Sequence, residues 1–237
     1  MGDHFPFVVL AHVPVSPGSC AAIGLELSMF PDLTRDDVFR IETARLWLRW
    51  PRAVDASSFV RLASDPDIAR RATGLPAPFG LGEADDFVLG ARRANADGRG
   101  IVLAVSPRND PGAVIGMVGV QTRGAAVSGA SDLVLGYWLG KPHWGQGLMQ
   151  EAIEGVLDMA FMLPDAQSIE APVCEDNVAA RKVLARCGFP QPVPDARQVM
   201  VTRTAWLAAR ADAPNRIASS LASHVARRIA LPQAATV

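Results

Sequence analysis

The chain has 237 residues, of which 49% are hydrophobic, and its formal net charge is −1. This length and composition suffice for one globular domain with a sizeable core, and the chain is short for two domains. A nearly neutral chain lacks the concentrated basic face of an electrostatic nucleic-acid binder, so we expect no nucleic-acid partner.

The cysteines and the first residues bear on location. Cys20, Cys174 and Cys187 are odd in number and widely spaced, which predicts no disulfide framework and favours a reducing cytoplasm. The apolar stretch 5–13 is short and interrupted by proline, and no Lys or Arg precedes Arg35. We therefore predict neither a signal peptide nor contact with a membrane.

In the first half of the chain, the sequence pattern indicates three helices between strands. In chain order the pattern predicts strand 46–50, helices 55–63, 65–71 and 82–96, and strands 101–105 and 113–120. Asp55 and Asp65 are the expected N-caps of the first two helices. Prolines make 75–79 a rigid loop, and 108–112 is a hairpin turn signal.

The second half alternates strands and helices. It predicts strand 132–139, helix 146–161, strand 168–173, helix 177–187 and a closing strand at 199–206. Together the elements predict an α/β chain with a mixed sheet and helices on both faces. No metal site is expected, because His4, His12, His143 and His224 lack ligand spacing.

The join between strand 132–139 and the following helix is rich in glycine. Gly145 and Gly147 precede a long amphipathic helix, whose first N–H groups lie at the positive end of the helix dipole. Such a turn can bind a phosphate or pyrophosphate through its main chain. A purely structural tight turn is the alternative. The spacing fits neither the P-loop nor the dinucleotide fingerprint.

Three segments carry a resemblance to a known family. The stretch 136–152, G-Y-W-L-G-K-P-H-W-G-Q-G-L-M-Q-E-A, resembles the acetyl-CoA loop of GNAT acetyltransferases, in particular the Rim-type branch that includes N-acetyltransferases of ribosomal proteins. Residues 177–189 are similar to that branch's N-x-A-S-x-R-V-L-E-K-L-G-F helix. Residues 43–49, followed by Asp55-Ala56, resemble its first strand and helix. The matches cover about residues 41–206.

The resemblance implies the GNAT fold, in which two central parallel strands splay apart and acetyl-CoA lies in the gap. It implies a coenzyme site made of Trp138, Leu139, Trp144, Gly145, Gln146, Gly147, Leu148, Met149, Gln150, Asn177 and Lys182. Tyr137 is a candidate proton donor to the departing sulfur. Other roles stay open: Trp138 and Trp144 as core, Asn177 as an N-cap, and Lys182 as a solvated charge.

The chain departs from the family pattern at three positions. Val134 replaces a Glu that is a candidate general base, Ala180 replaces a Ser that can protonate the thiolate, and Met149 replaces a small residue. Possible substitutes for the missing groups are Asp132, Glu175, Asp176, His143 and Tyr137. Because no base is evident, we expect an α-amino or small weakly basic amine rather than lysine as the acceptor.

We therefore predict an acetyl-CoA-dependent N-acetyltransferase that acts by direct attack in a ternary complex, as a monomer or homodimer. The alternatives are a catalytically weakened CoA-binding module and a structural protein that keeps only the fold. The predicted organisation is an extension at 1–40, with a possible true start at Met29, the GNAT domain at 41–206, and an Ala- and Arg-rich tail or docking helix at 207–237.

Overall fold

The structure is a computed structural model, which describes residues 39–72, 75–76, 78–122, 133–174, 176–192 and 196–210. Its strands are β1 (Arg40–Glu42), β2 (Leu46–Arg49), β3 (Gly100–Pro107), β4 (Gly116–Thr122), β5 (Leu133–Leu139), β6 (Ser168–Pro172) and β7 (Gln198–Thr202). They form a single sheet in the order β1 to β7. Within the described sheet β5 and β6 are the parallel pair, and the other neighbours are antiparallel.

Helices cover both faces of the sheet, as the sequence predicts. They are α1 (Ala56–Ala63), α2 (Pro66–Arg71), α3 (Leu81–Ala96), α4 (Leu148–Phe161), α5 (Val178–Arg186) and α6 (Arg203–Arg210). Apolar residues of α1, α2 and α3 share one cluster with Val102, Met117 and Trp138. Apolar residues of α4, α5 and α6 share the other cluster. The two clusters place α2 and α4 on opposite faces.

The N-cap predictions are tested by hydrogen bonds. The Asp65 carboxylate accepts from Asp67 N at 2.8 Å and begins α2 as predicted. Asp55 also precedes its helix, but its side chain makes no cap bond to α1. It instead binds both terminal nitrogens of Arg49, at 2.8 and 2.9 Å. Since both side chains are buried, the carboxylate serves as the counterion of that guanidinium.

The predicted closing strand 199–206 is wrong in its second half. β7 ends at Thr202, whose hydroxyl accepts from Ala205 N at 3.2 Å, and α6 begins at Arg203. Trp206 is buried, its ring packs against Phe161, and its Nε1 donates to Asp158 Oδ1 at 3.0 Å. This anchoring on α4 favours the helix. The three-residue strand β1 was also not predicted.

Several predictions lie outside the described residues. They include the N-terminal extension up to residue 38, the tail beyond residue 210, the loop 123–131, Asp132 and Glu175. Over the ranges that are described, no helix is both long and apolar enough to cross a membrane.

The short pairing between β5 and β6 shapes the site. Their pairing covers Leu133 with Ile169 and Val134 with Glu170, while β5 continues beside β4 to Leu139. Val173 N donates to Arg197 O on the β7 side, so Pro172, one residue earlier, faces β5. Because proline has no N–H to donate, it cannot extend the β5–β6 ladder, whose last pair is Val134 with Glu170.

Candidate functional site

The turn between β5 and α4 exposes a row of main-chain donors. Gly145 and Gly147 have φ angles of 74° and 72°, in the left-handed region that favours glycine. Helix α4 begins directly after them, at Leu148. In the described part of the chain, the N–H groups of residues 145–150 have no hydrogen-bond partner. Such a row at a helix start suits an anionic ligand.

Side chains fix the shape of this turn. Trp144 Nε1 donates to Leu139 O at 2.6 Å, and Gln146 Nε2 donates to Pro142 O at 3.0 Å. Arg45 Nη1 donates to Gln146 O at 2.9 Å. These three bonds use main-chain carbonyls as acceptors, so the N–H groups of residues 145–150 are not involved in them.

Glu151, on the first turn of α4, is committed to structure. Burial raises the pKa of this carboxyl, but bonds from Thr43 and Arg45 outweigh that effect and hold the pKa below its usual value. Arg45 N and Nε both lie 2.7 Å from its oxygens. Glu151 is thus an ionised link from α4 to the chain before β2, and it is not available as a general base.

A cavity of about 210 Å³ runs from this turn to the gap between β5 and β6. Most of the predicted site residues line it, namely Tyr137, Trp138, Leu139, Trp144, Gly145, Gly147, Leu148, Met149, Gln150 and Asn177. Gln146 and Lys182 are exposed and are not among the lining residues. The coenzyme-binding roles of all these residues stay predictions.

The β5 backbone presents an unpaired edge to the cavity. Gly140 N donates to Ile115 O on the β4 side, and Leu139 O receives the Trp144 indole on the other side. In an extended strand, alternate residues point their N–H and C=O the same way, so Tyr137 also faces the gap. β6 has already separated there. An extended ligand could therefore pair with Tyr137 as an added strand would.

The Tyr137 phenol is buried in the gap. Its Oη has no hydrogen-bond partner within the described ranges. Burial raises the pKa of Tyr137 above its usual value, and the nearby thiols of Cys187 and Cys174 raise it further. A phenol in this state remains protonated at neutral pH, so it cannot act as a base, and its raised pKa makes it a weaker proton donor than a free phenol.

Cys187 does not have the setting of a nucleophile. Burial raises the pKa of its thiol to about 12, with Glu154 as a further cause. Its Sγ lies 3.8 Å from Gln150 O. A thiol with so high a pKa is almost entirely protonated at neutral pH, so Cys187 serves as a small residue of the core.

Asn177 has two partners. Its Oδ1 accepts from Ala180 N at 3.1 Å, which makes it the N-cap of α5 as predicted. The same oxygen accepts from Arg71 Nη1 of α2 at 3.3 Å. This contact joins α2 to α5 across the gap between the strands. Among the described residues, the side-chain nitrogen Nδ2 of Asn177 has no hydrogen-bond partner, so it can donate to a ligand.

The cavity carries positive charge that the sequence reasoning missed. Arg71 and Arg186 line it, and no Asp or Glu is among its described lining residues. His143 also lines it, and burial lowers the pKa of its imidazole, which favours the neutral form. No local pattern marks Arg71 or Arg186, because each reaches the cavity only through the packing of its helix.

The departures from the family pattern are also visible. Ala180 lines the cavity without a hydroxyl. Met149 is 7% exposed and forms part of the wall, leaving the cavity open beside it. Trp138 packs edge-on against Phe59, with centroids 5.7 Å apart, so it is core and cavity wall at once. Among described residues, no three His, Cys, Asp or Glu side chains converge as a metal site.

Comparison with known proteins decides the family. A family model described as the acetyltransferase (GNAT) domain matches residues 45–190. The chain belongs to the GNAT acetyltransferases. This GNAT chain is 27% identical over 151 residues to the uncharacterized N-acetyltransferase p20 of Bacillus licheniformis, covering 62% of this chain and 80% of that protein. The predicted family and enzyme class, an acyltransferase, are confirmed.

Solved structures support the same fold. Mycobacterium smegmatis RimJ, in complex with CoA-disulfide, superposes with a TM-score of 0.58 at 20% identity, over 78% of this chain and 94% of that one. A putative ribosomal-protein-serine acetyltransferase from Vibrio cholerae gives 0.55 at 20% identity, over 70% and 98% of the two chains. The predicted GNAT fold is confirmed, and a RimJ enzyme is among the proteins that share it.

Proposed function

We propose that this GNAT chain transfers an acetyl group from acetyl-CoA to a primary amine, with both substrates bound together. The row of free N–H groups at residues 145–150 carries the proposal, because it offers a main-chain site for a pyrophosphate. Arg186 adds positive charge to the same cavity, and the unpaired main chain of Tyr137, which faces the gap beside β5, offers partners for an extended arm. These features suit the anionic pyrophosphate and the extended arm of coenzyme A.

The reaction needs a polarised carbonyl, a proton donor for sulfur and positioning from the protein. The amine nitrogen attacks the thioester carbonyl, the C–S bond breaks, the amine releases its proton to water, and the thiolate takes one from a donor that water then reprotonates. Free N–H groups on the β5 edge can polarise the carbonyl. The Tyr137 phenol, buried and protonated, can supply the proton to sulfur. Binding both substrates in one cavity supplies positioning.

No Asp or Glu is among the described residues that line the cavity, so no carboxylate is placed there to act as the base. Val134 stands where the family pattern has a carboxylate, Asp176 is exposed and outside the cavity lining, and Glu151 is committed to Arg45. His143 lines the cavity as a neutral imidazole, but its lowered pKa makes it too weak a base to deprotonate a lysine ammonium. The acceptor must then arrive largely neutral. An α-amino group, with a reference pKa of ~8, meets this at physiological pH, whereas a lysine, at ~10.4, does not. The proposed acceptor is a peptide or protein N-terminus or a small weakly basic amine.

A second candidate follows from the same departures. With Val134 and Ala180 in place of two catalytic side chains, the chain could bind acetyl-CoA and transfer slowly or not at all, as a sensor or interaction module. This candidate predicts tight binding of the coenzyme without turnover on any amine.

The experiment combines a thiol-release assay with calorimetry. Purified protein with acetyl-CoA is offered peptides with free N-termini, amino acids, polyamines and lysine side chains at pH 7, and coenzyme A is titrated separately. The proposal expects binding together with release on α-amines. Binding with no release favours the module, and a clear preference for lysine contradicts the missing-base argument. No binding at all would reject both candidates.

The surrounding organisation is proposed on sequence grounds. The catalytic domain spans about 41–206, with flanking segments at 1–40 and 207–237. The proposed setting is the cytoplasm, as a monomer or homodimer, with no membrane or nucleic-acid partner.

A further inference from the structure

The two arginines of the cavity come from opposite faces of the sheet. Arg186 lies on α5, on the same face as α4 and the donors of residues 145–150. Arg71 lies on α2, whose Ile68 packs into the cluster of the other face with Phe59 and Trp138. A coenzyme held by the α4 turn therefore packs on one face, whereas Arg71 belongs to a helix of the other face, whose Asp67 pairs with Lys141 just before that turn at 2.7 Å.

The Arg71 guanidinium has unused donors. Nη1 reaches Asn177 Oδ1 at 3.3 Å, which is a long bond, and the buried Nε has no partner among the described residues. No carboxylate in the described part of the chain forms an ion pair with it. Asp67, four residues earlier on α2, is taken by Lys141 at 2.7 Å and Arg70 at 3.2 Å.

Such a cation is set to receive an anion. A half-buried guanidinium loses hydrogen bonds to water, and charge-assisted hydrogen bonds to an anion compensate for that loss. The planar group suits a carboxylate, which can accept two bonds side by side. Since no described Asp or Glu lines the cavity, an acceptor with several positive charges, such as a polyamine, finds no counterion there.

We propose that Arg71 binds a carboxylate carried by the acceptor, so that the preferred substrate is an amine with an acid group within a few atoms of it. This deepens the proposed function and rests on it. Free α-amino acids have this chemistry, and so do peptides that begin with Asp or Glu. In either case Arg71 determines specificity at the acceptor side and does not take part in proton transfer.

The experiment compares acids with their amides on three variants. The probes are L-alanine, L-methionine and L-glutamate with their α-amides, and C-terminally amidated peptides that begin with Asp or Asn. The variants are Arg71→Gln, Arg71→Lys and the control Arg70→Gln, which changes an exposed arginine of the same helix outside the cavity lining. KM, kcat and the Kd for coenzyme A are measured for each.

The expected result is a loss confined to the acid probes. Arg71→Gln raises their KM roughly ten- to hundredfold, as removal of a charge-assisted bond does, and leaves the amides and the Kd for coenzyme A within about twofold. Arg71→Lys keeps part of the preference, and Arg70→Gln behaves as the wild type. Preference for the free amino acids or for the Asp peptide identifies the source of the carboxylate.

Two results would overturn the inference. One is a wild-type enzyme that treats acids and amides alike. The other is an Arg71→Gln variant whose affinity for coenzyme A falls as much as its affinity for acceptors, which assigns the arginine to the coenzyme.

A direct binding measurement distinguishes failure of the transfer activity from absence of the carboxylate site. If coenzyme A binds but no amine is acetylated, the CoA-loaded protein is titrated with L-glutamate and its α-amide. If L-glutamate binds and Arg71→Gln abolishes that binding, the carboxylate site is supported even without transfer activity. If no acid probe binds, the proposal is overturned.

Discussion

Two parts of the cavity wall differ in chemistry. At the α4 turn, which we call the main-chain end, residues 145–150 offer main-chain N–H groups, and the identity of most side chains matters little. In the lining outside the turn, which we call the side-chain end, the chemistry belongs to Tyr137, Asn177 and Arg71. Met149 shows the difference, since it replaces a small residue yet keeps its amide, whereas the Val134 and Ala180 departures remove reactive groups outright.

The largest effect is expected at the side-chain end. Tyr137→Phe removes the buried hydroxyl while keeping the ring, so the departing thiolate loses its donor. We expect kcat to fall by roughly 10²–10⁴-fold. The Kd for coenzyme A should stay within about twofold, because the strand edge at Tyr137 is main chain. A fall in kcat of less than tenfold would show that water supplies the proton instead.

The pH dependence of the rate distinguishes titration of the acceptor amine from titration of the Tyr137 phenol. An α-amine attacks when neutral, so log(kcat/KM) should rise by about one per pH unit from pH 6 up to ~8. The Tyr137 phenol donates below its pKa, which burial raises, so no descending limb should appear below pH 10. A pH–rate profile measures both limbs. A fall in rate between pH 8 and 9.5 would contradict the role of Tyr137.

A glycine pair tests the main-chain end. Gly145→Ala adds a Cβ that meets nothing within 4 Å, so the free turn relaxes away from φ 74° and must regain that angle, at roughly 1–2 kcal/mol, to bind the ligand. We expect about a 5- to 30-fold weaker Kd for coenzyme A by calorimetry. Gly188→Ala is the control, because it has φ 82° but lies outside the cavity lining. Equal losses of affinity in both variants would point to general destabilisation.

Asn177 links the two ends through the start of α5. Asn177→Ala removes the cap on Ala180 N and should lower the free energy of unfolding by about 1 kcal/mol in urea denaturation. Asn177→Ser keeps a capping oxygen and should restore that stability. If Asn177→Ser also restores full affinity for coenzyme A, the residue is an N-cap only and does not contact the ligand.

The smallest effect is expected at Lys182. Its side chain is exposed and does not line the cavity, so Lys182→Ala should weaken coenzyme binding by no more than about threefold, an effect that high salt removes. Arg186→Ala, which does alter the lining, should weaken it more. The opposite ranking, in Kd values at low salt, would give Lys182 the phosphate-binding role that the family resemblance implies.

Local patterns allowed much of this molecule to be predicted. The cap residues Asp65 and Asn177 and the glycine turn are short-range features, since their hydrogen bonds join residues within a few positions of each other. The helices and most strands follow from apolar periodicity for the same reason. β1 and α6 were missed because β1 is too short to show a pattern and α6 is anchored by Trp206 on the distant α4.

The sequence by itself determined the family, the order of the main elements and the turn whose N–H groups are free. Only the tertiary structure decided which side chains face the cavity. Arg71 meets Asn177 across 106 positions of the chain, and the gap opens where β5 and β6 stop pairing, beyond Val134 and Glu170. Contacts of that range depend on how strands and helices pack, and no spacing along the chain encodes them.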